Sequence, residues 1–288
     1  MPTLREVVAR GRETLAAAGI AADEAALDAE LLARHVLGWD RARLVANGRD
    51  EAPATFEDAY SPLITRRASR EPIAYITGHR EFWGLDFEVT RDVLIPRPET
   101  ELIVEEAIAL YRDWPPGLIV DVGTGSGCLA IALAVEFPRA ELIATDVSAA
   151  ALTVARRNAI RHGVNNRIAF VHADLTAMAE GVEVTVSNPP YIALSDKPKL
   201  QPEVRDHEPG VALFAGADGL DAYRALLPDA IEKSQCDGGR LIVEVGYDQD
   251  AAVTMLAEEA GWTLERTRQD LQGITRTLVF RCEPYDGE

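Results

Sequence analysis

Apolar positions follow two different spacings along this chain, and the change falls near residue 78. Before that point they recur every three or four residues, in short stretches separated by glycine or proline, as in amphipathic helices. Thr3 and Glu6 form a capping-box pattern ahead of the first stretch, which stops at Gly19. Further helices are predicted over residues 23–37 and 41–46, around 56–64, and from Pro72 to Gly78. Residues 1–78 are therefore predicted to form a small all-helical domain.

The apolar faces of these helices are interpreted as the core of that domain. The second helix, for example, places Leu27 and Leu32 on its predicted buried face. Arg66, Arg67 and Arg70 lie close together; contact with an acidic partner is one interpretation, and a solvated face is the one that such a run favours. No catalytic constellation is visible in this part of the sequence, so we interpret the domain as a substrate-docking module.

The next segment, residues 79–98, changes character. Two β-rich runs meet at Gly84, which is typical of a hairpin. Pro96 and Pro98 then stiffen the backbone, and a helix is predicted to begin near Glu99. The pattern predicts a β-hairpin linker that joins the helical domain to a second domain.

From residue 99 to residue 288, apolar β-branched runs alternate with helical stretches. The predicted strands cover residues 118–122, 142–145, 168–171, 182–186, 240–245, 263–268 and 275–281. This alternation predicts an α/β domain with a mostly parallel sheet that helices cover on both faces. The polar, proline-rich stretch from Ile192 to Gly219 interrupts the alternation, and we interpret it as a wall or lid beside a site.

The first strand of this domain leads directly into a glycine-rich turn, and a predicted helix follows. The turn consists of Gly123, Thr124, Gly125, Ser126 and Gly127. Glycines let a ligand approach the backbone closely, and the N-terminus of the next helix offers free N–H groups. Strand, glycine turn and helix together are typical of a nucleotide-binding site.

Two acidic residues follow the next two strands. Asp146 lies roughly 20 residues after the glycine turn, the spacing at which a carboxylate reaches ribose hydroxyls. The alternative for Asp146 is an acid that stabilises the N-terminus of a helix. Asp174 could accept a hydrogen bond from an adenine amino group, with Leu175 covering the ring. An ordinary loop acid fits Asp174 equally well.

The fourth strand of the domain is broken by two prolines, which cannot donate hydrogen bonds to a sheet ladder. Its end consists of Asn188, Pro189, Pro190 and Tyr191. A polar side chain and an aromatic ring are thereby held on a stiff turn at the carboxyl end of a strand. Ligands of open α/β sheets bind at this edge, so the turn is predicted to border the nucleotide site.

Charge and cysteine content narrow the class of protein. The formal net charge of −18 argues against general binding to duplex nucleic acid, because phosphate binding relies on Lys and Arg. Cys128, Cys236 and Cys282 are far apart and indicate reduced thiols rather than disulfides or a metal site. The first residues hold no apolar secretory segment, and no apolar run approaches the roughly 20 residues that cross a bilayer. We expect a cytoplasmic protein without a metal or a membrane partner.

The glycine turn, Asp146, Asp174 and the Asn-Pro-Pro-Tyr turn together resemble those of class I S-adenosylmethionine-dependent methyltransferases. A closer resemblance, over most of the chain, is to the peptide chain release factor glutamine methyltransferases (the PrmC/HemK family). That resemblance also includes the helical head and the runs Gly78–Trp83 and Ile95–Glu101. It implies a Rossmann-like domain whose sheet has seven strands, the last of them antiparallel.

The resemblance also implies site residues. Those assigned to S-adenosylmethionine, with S-adenosylhomocysteine as product, are Gly123, Thr124, Gly125, Ser126, Gly127, Asp146, Asp174, Leu175 and Asn188. The glycine turn would surround the methionine part and Asp146 would bind the ribose. Leu175 stands where relatives often carry an aromatic residue, so stacking on adenine would be weaker. Those assigned to the substrate glutamine are Asn188, Pro189, Pro190 and Tyr191, with Pro96–Glu101 bordering the same pocket.

The chemistry explains why such a turn suits this reaction. A glutamine amide nitrogen is a poor nucleophile because its lone pair is delocalised, whereas a sulfonium methyl group is already electrophilic, so the protein must mainly position the two. The expected catalytic residues are Asn188, whose oxygen accepts one amide N–H, Pro189, whose carbonyl accepts the other, and Tyr191, which packs on the amide plane. No strong general base is needed, because an N-alkylated amide cation loses its proton readily to water.

Four functions remain open from the sequence. The first is methylation of the glutamine in the Gly-Gly-Gln motif of class I peptide chain release factors by a monomeric enzyme. Methylation of a ribosomal protein glutamine uses the same chemistry, and exocyclic amino groups of nucleic-acid bases are planar too, so the turn alone does not separate them. The acidic balance and the helical head favour a protein substrate. A non-catalytic cofactor-binding protein would not need the turn.

Overall fold

Helices and strands alternate much as the sequence predicts. The computed structural model describes residues 2–176, 180–235 and 238–282, and Cys236 lies outside them. The helices are α1 (Leu4–Ala17), α2 (Ala22–Leu37), α3 (Arg41–Ala46), α4 (Phe56–Ala68), α5 (Ile73–Thr77), α6 (Glu101–Tyr111), α7 (Cys128–Glu136), α8 (Ala149–Arg161), α9 (Pro202–His207), α10 (Asp221–Lys233) and α11 (Asp250–Glu259). The strands are β1 (His79–Phe82), β2 (Leu85–Glu88), β3 (Leu118–Val122), β4 (Glu141–Asp146), β5 (Ile168–His172), β6 (Val184–Ser187), β7 (Arg240–Glu244), β8 (Trp262–Gln269) and β9 (Thr275–Cys282). Over the described ranges, no helix is both long enough and apolar enough to cross a membrane.

The chain divides into a helical unit and a catalytic unit. The helical unit contains Met1–Gly78 and Gln201–His207, and the catalytic unit contains His79–Leu200 and Glu208–Glu288. The predicted capping box is present at the start of α1, where Thr3 and Glu6 each accept a hydrogen bond from the other's backbone N–H. Because the catalytic unit begins at His79, the predicted hairpin linker lies within it. One short helix from the later loop, α9, lies within the helical unit.

Two predictions about the helical unit are wrong in detail. Leu32 is buried as expected, but Leu27 is 55% exposed, because α2 packs through its small residues Ala25 and Ala29, which allow close approach. Arg67 does not lie on a solvated face: its side chain is 2% exposed.

Arg67 is buried because carboxylates surround its guanidinium group. It donates to Asp28 at 2.6 Å, to Glu24 at 2.7 Å and to Glu203 at 2.8 Å. A buried charge persists only when it is paired and hydrogen-bonded, and a planar guanidinium can serve several carboxylates at once. Glu203 belongs to α9 and also accepts from Arg70 at 2.9 Å, so these ion pairs fix α9 within the helical unit.

The predicted hairpin is confirmed, and it is part of the catalytic core. Trp83 and Gly84 form its two-residue turn, both with positive φ (54° and 69°), which matches the twist of paired strands. Phe82 and Phe87 are buried in the same apolar cluster as α6 and α7. Asn158 of α8 is fully buried, and its amide bonds the hairpin backbone at Glu88, so the hairpin is anchored from two sides.

The large sheet confirms the predicted α/β fold. Its strand order is β5-β4-β3-β6-β7-β9-β8, and only β9 runs antiparallel to the others. One apolar cluster places α6, α7 and α8 on one face, and a second places α10 and α11 on the other. Strands buried on both faces are near-continuous apolar runs, which explains why the sequence shows runs rather than alternation.

Strand register brings the predicted site residues to one edge. Val122, the last residue of β3, pairs with Thr145 of β4 on one side and with Ser187 of β6 on the other. The glycine turn, Asp146 and Asn188 each follow directly after these three positions. They therefore meet at the carboxyl ends of three adjacent parallel strands, where α/β folds bind ligands.

Candidate active site

A cavity of about 490 Å³ opens at this carboxyl edge, within the catalytic unit. Its size lies within the roughly 300–1,000 Å³ of sites for small molecules and cofactors. The sequence-predicted residues that line it are Gly123, Gly125, Asp146, Asp174, Leu175, Asn188, Pro189 and Pro190. Thr124, Ser126, Gly127 and Tyr191 are not part of the lining.

Some residues of the glycine turn face the cavity, and others pack in the core. Gly123 and Gly125 face the cavity with φ of 74° and 55°, a conformation that favours glycine. Gly127, at φ 83°, instead lets α7 pack against α8: a Cβ there would lie 3.1 Å from the Cβ of Ala155. Thr124 and Ser126 are buried and do not line the cavity.

Asp146 is held in place by backbone donors on both sides. Its Oδ2 accepts from the N–H of Gly125 at 2.9 Å, and its Oδ1 accepts from the N–H of Ser148 at 2.8 Å. The carboxylate is half-buried and lines the cavity. A carboxylate has about four lone-pair sites, so two remain for hydroxyl groups of a ligand.

Leu175 lies in an unusual backbone conformation beside Asp174. Its φ is 56°, in the left-handed region that leucine rarely adopts, and its carbonyl accepts from Thr145 Oγ1 at 2.6 Å. This hydrogen bond ties the loop after β5 to the end of β4 and keeps Asp174 and Leu175 on the cavity wall. The sequence contains no signal for that conformation.

The Asn-Pro-Pro-Tyr turn presents its first three residues to the cavity. The Asn188 side-chain nitrogen donates to Thr100 Oγ1 at 2.9 Å. Tyr191 lies behind the wall: its hydroxyl donates to Glu244 at 3.2 Å, and its carbonyl accepts from the Gln249 amide at 2.9 Å. The turn is therefore fixed by side chains from three other parts of the catalytic unit.

Glu244 is a site residue that the sequence analysis missed, and Thr100 was expected only as part of the segment Pro96–Glu101 beside the pocket. Thr100 donates to Glu244 at 2.6 Å, and both residues are 2% exposed. Burial raises the pKa of Glu244 to about 7. One signal was available for Glu244: it lies inside the predicted strand over residues 240–245, between Val243 and Val245, and a carboxylate in such an apolar run is unusual in a core.

The loop after the turn contributes the outer wall, which is where the sequence analysis places it. Its lining residues are Pro209, Val211, Ala212, Phe214, Ala215 and Gly216. Buried Glu208 accepts from Arg97 at 2.5 Å and from the Ile95 N–H at 3.4 Å. This ion pair fastens the loop to the proline-rich segment. The stretch Asp92–Leu94 also lines the cavity, which was not predicted.

Asp121 is a buried carboxylate behind the glycine turn. Its Oδ2 accepts from Thr124 Oγ1 at 2.6 Å and from the Ala130 N–H at 3.1 Å, while its Oδ1 has no hydrogen-bond partner among the described residues. Burial raises its pKa to about 7.

This pKa predicts how Asp121→Asn changes stability with pH. In the unfolded chain the carboxyl pKa is about 3.9, so the folded protein binds more protons than the unfolded one between roughly pH 4 and 7. The free energy of unfolding that Asp121 contributes therefore falls as pH rises through this window. We expect the stability of wild type relative to Asp121→Asn to fall by roughly 2–4 kcal/mol between pH 4 and 8. Urea denaturation at both pH values measures this, and a difference that stays constant or rises contradicts it.

The residues of the cavity fit S-adenosylmethionine. Exposed glycine backbone admits a close-packed ligand, the Asp146 carboxylate suits a pair of ribose hydroxyls, and Leu175 offers an apolar surface to a base. Within the described part of the chain, no group of His, Cys, Asp and Glu has the arrangement of a metal site.

Comparison with known proteins places this architecture in a family. A family model described as PrmC N-terminal domain matches residues 6–78, and one described as Methyltransferase small domain matches residues 100–201. Two solved structures share the fold: a ribosomal protein L11 methylase from Lactobacillus delbrueckii subsp. bulgaricus (TM-score 0.50, 20% identity, 68% of this chain and 84% of that one) and a methyltransferase from Pyrococcus furiosus (TM-score 0.51, 18% identity, 76% and 98%).

Curated relatives are similar over nearly their whole length. The release factor glutamine methyltransferase of Cereibacter sphaeroides is 45% identical over 93% of this chain and 94% of its own. The protein of the same name from Xylella fastidiosa is 42% identical over 90% and 94%, and the one from Geobacter sulfurreducens is 42% identical over 97% and 96%. Identity at this level across both units, together with the site geometry, means that the chain belongs to the release factor glutamine methyltransferase family.

Proposed function

We propose that this protein methylates the side-chain amide nitrogen of the glutamine in the Gly-Gly-Gln loop of class I peptide chain release factors. The orientation of Asn188 carries the proposal. Its amide nitrogen donates to Thr100, so the oxygen of the same amide is the end left for the cavity. An acceptor oxygen is what a substrate amide N–H requires. The names of the curated relatives support the release factor as the substrate.

The main task of the protein in this reaction is to position the substrate nitrogen relative to the methyl group. S-adenosylmethionine, when bound, supplies an electrophilic methyl group on its sulfonium centre. Asn188 accepts one amide N–H, and the carbonyl of Pro189 is the proposed acceptor for the other, so the nitrogen is aimed rather than activated. Both acceptors would stabilise the positive charge that develops on the nitrogen as the N–C bond forms and the bond between the methyl carbon and the sulfonium sulfur breaks. S-adenosylhomocysteine would be the leaving group, and the methylated nitrogen would then release one proton to water.

The other predicted residues divide between cofactor and support. We propose that Gly123 and Gly125 contact the methionine part, that Asp146 binds the ribose, and that Asp174 and Leu175 border the adenine. All five line one cavity. Thr124, Ser126 and Gly127 are proposed to keep the turn in shape from the core side. Tyr191, whose hydroxyl is bound to Glu244, is proposed to support the turn rather than to cover the substrate.

The two alternative substrates, a ribosomal protein glutamine and a nucleic-acid base, also present a planar nitrogen to the enzyme. A ribosomal protein glutamine would use the same two acceptors, and so would the amino group of a nucleic-acid base. The formal net charge of −18 disfavours the nucleic acid, because an extended phosphate backbone would be repelled.

Labelled S-adenosylmethionine separates these substrates. The acceptors are a purified class I release factor, the same factor with the loop glutamine replaced by alanine, ribosomal proteins, and nucleic acid. We expect label on the release factor of natural sequence and none on the variant whose loop glutamine is alanine. Label confined to ribosomal protein or nucleic acid contradicts the proposed substrate, and label on both forms of the release factor contradicts the proposed glutamine.

A further inference from the structure

A chain of three buried or half-buried side chains leads from the core to the substrate side of the cavity. Glu244, at the end of β7, accepts from Thr100 Oγ1 at 2.6 Å, and Thr100 accepts from Asn188 Nδ2 at 2.9 Å. Tyr191 donates to the other oxygen of Glu244 at 3.2 Å. Glu244 and Thr100 are each 2% exposed, so water does not compete for these bonds.

The direction of each hydrogen bond in this chain is determined by the carboxylate. An ionised carboxylate only accepts, so both Thr100 and Tyr191 must donate to Glu244. The Thr100 hydroxyl has one hydrogen and has used it, so toward Asn188 it can only accept. Asn188 must therefore present its nitrogen to Thr100 and its oxygen to the cavity.

We propose that Glu244 and Thr100 are positioning residues that set which end of the Asn188 amide faces the substrate nitrogen. The inference rests on the proposed function, since an amide N–H is a donor and is bound only by the oxygen end. With the amide reversed, the nitrogen of Asn188 would oppose the donor of the substrate. A donor facing a donor leaves both unpaired, which costs binding in the transition state.

Ionisation of Glu244 controls this arrangement. The protonated carboxyl can donate to one neighbour, so Thr100 is no longer obliged to donate to it and Asn188 is no longer held in one orientation. Burial raises the pKa of Glu244 to about 7, so the change falls near neutral pH. The titratable and charged groups that act on Glu244 from the packed elements are Tyr191, Glu99, Cys128, Tyr223 and Arg276.

The first test is the pH profile of kcat for methyl transfer to a release factor. We expect kcat of the wild type to rise roughly 10-fold as pH increases through about 7. Glu244→Gln has the mixed donor and acceptor capacity of the protonated acid at every pH. It should therefore have a flat profile at the low-pH level of the wild type. KM for the cofactor should change little.

Thr100 provides the matched pair of variants. Thr100→Val keeps the side-chain shape but breaks the chain, so we expect a flat profile and a low kcat. Thr100→Ser restores the hydroxyl. It should restore both the wild-type kcat and the fall of kcat below about pH 7, here called the acid limb of the profile. A purely structural role would lower kcat by a constant factor and leave the pH profile in place. An acid limb that persists in Glu244→Gln overturns the inference, and so does a wild-type profile in Thr100→Val.

A second test does not depend on the substrate. The side-chain amide resonances of Asn188, assigned by their absence in Asn188→Ala, should shift with pH around 7 in the wild type. They should not shift in Glu244→Gln or Thr100→Val. If the wild type methylates no release factor but this titration is present, the proposed substrate fails and the orienting chain stands. If the Asn188 resonances of the wild type and of both variants respond to pH alike, the inference fails whatever the substrate.

Discussion

Replacing Asn188 with alanine is expected to lower kcat for glutamine methylation by roughly 10²–10³-fold, the usual effect of removing a preorganised polar group from the developing charge. Asn188 is half-buried, its nitrogen is held by Thr100, and Pro189 and Pro190 keep the backbone of the turn stiff. Alanine therefore removes the acceptor without giving the turn a new shape. The measurement is single-turnover methyl transfer at saturating cofactor, which isolates the chemical step.

Two controls make the result interpretable. The dissociation constant for S-adenosylhomocysteine should change less than about threefold, because the cofactor is proposed to be held mainly by the glycine turn and Asp146. Asn165→Ala, an exposed asparagine after α8, should match the wild type. Retention of more than a tenth of the wild-type kcat by Asn188→Ala contradicts the assigned role.

Replacing Asp146 with alanine is expected to weaken S-adenosylhomocysteine binding by about 2–3 kcal/mol, or roughly 30- to 150-fold. Two effects add. The ribose hydroxyls lose a charged acceptor, and the backbone N–H groups of Gly125 and Ser148 lose the carboxylate that holds them in place. Titration calorimetry measures the change in affinity.

Asp146→Asn separates these two effects. Its side-chain oxygen can still accept from one backbone N–H, so the turn should keep most of its shape while the charge is lost. We expect an affinity between those of wild type and Asp146→Ala, with kcat at saturating cofactor close to wild type. Unchanged affinity in both variants means that the ribose lies elsewhere.

The parts of the site that are built from residues adjacent in the sequence were predictable from the sequence. The glycine turn and Asp146 each follow an apolar run, and parallel strands bring such ends to one edge of a sheet. The order of the motifs along the chain was therefore enough to expect them in one cavity. The fold followed from the same alternation of strands and helices.

Contacts between distant segments were not predictable. Thr100 and Glu244 are 144 residues apart, and although its place in an apolar run marks Glu244 as unusual, no local pattern indicates that Thr100 is its partner. Arg67 looked like part of a solvated face because the carboxylates that surround it lie in α2 and in α9. In each case the side chain's environment is decided by tertiary packing, which local spacing does not contain.

The central claim is that the Asn-Pro-Pro-Tyr turn serves a glutamine amide of a release factor. Its most direct test is to locate the transferred methyl group by tandem mass spectrometry of a release factor after reaction with the enzyme. We expect one added methyl group on the glutamine of the Gly-Gly-Gln loop, on its side-chain nitrogen, and none in a parallel reaction with Asn188→Ala. A methyl group on any other residue, or an unmodified loop after complete turnover of cofactor, would contradict it.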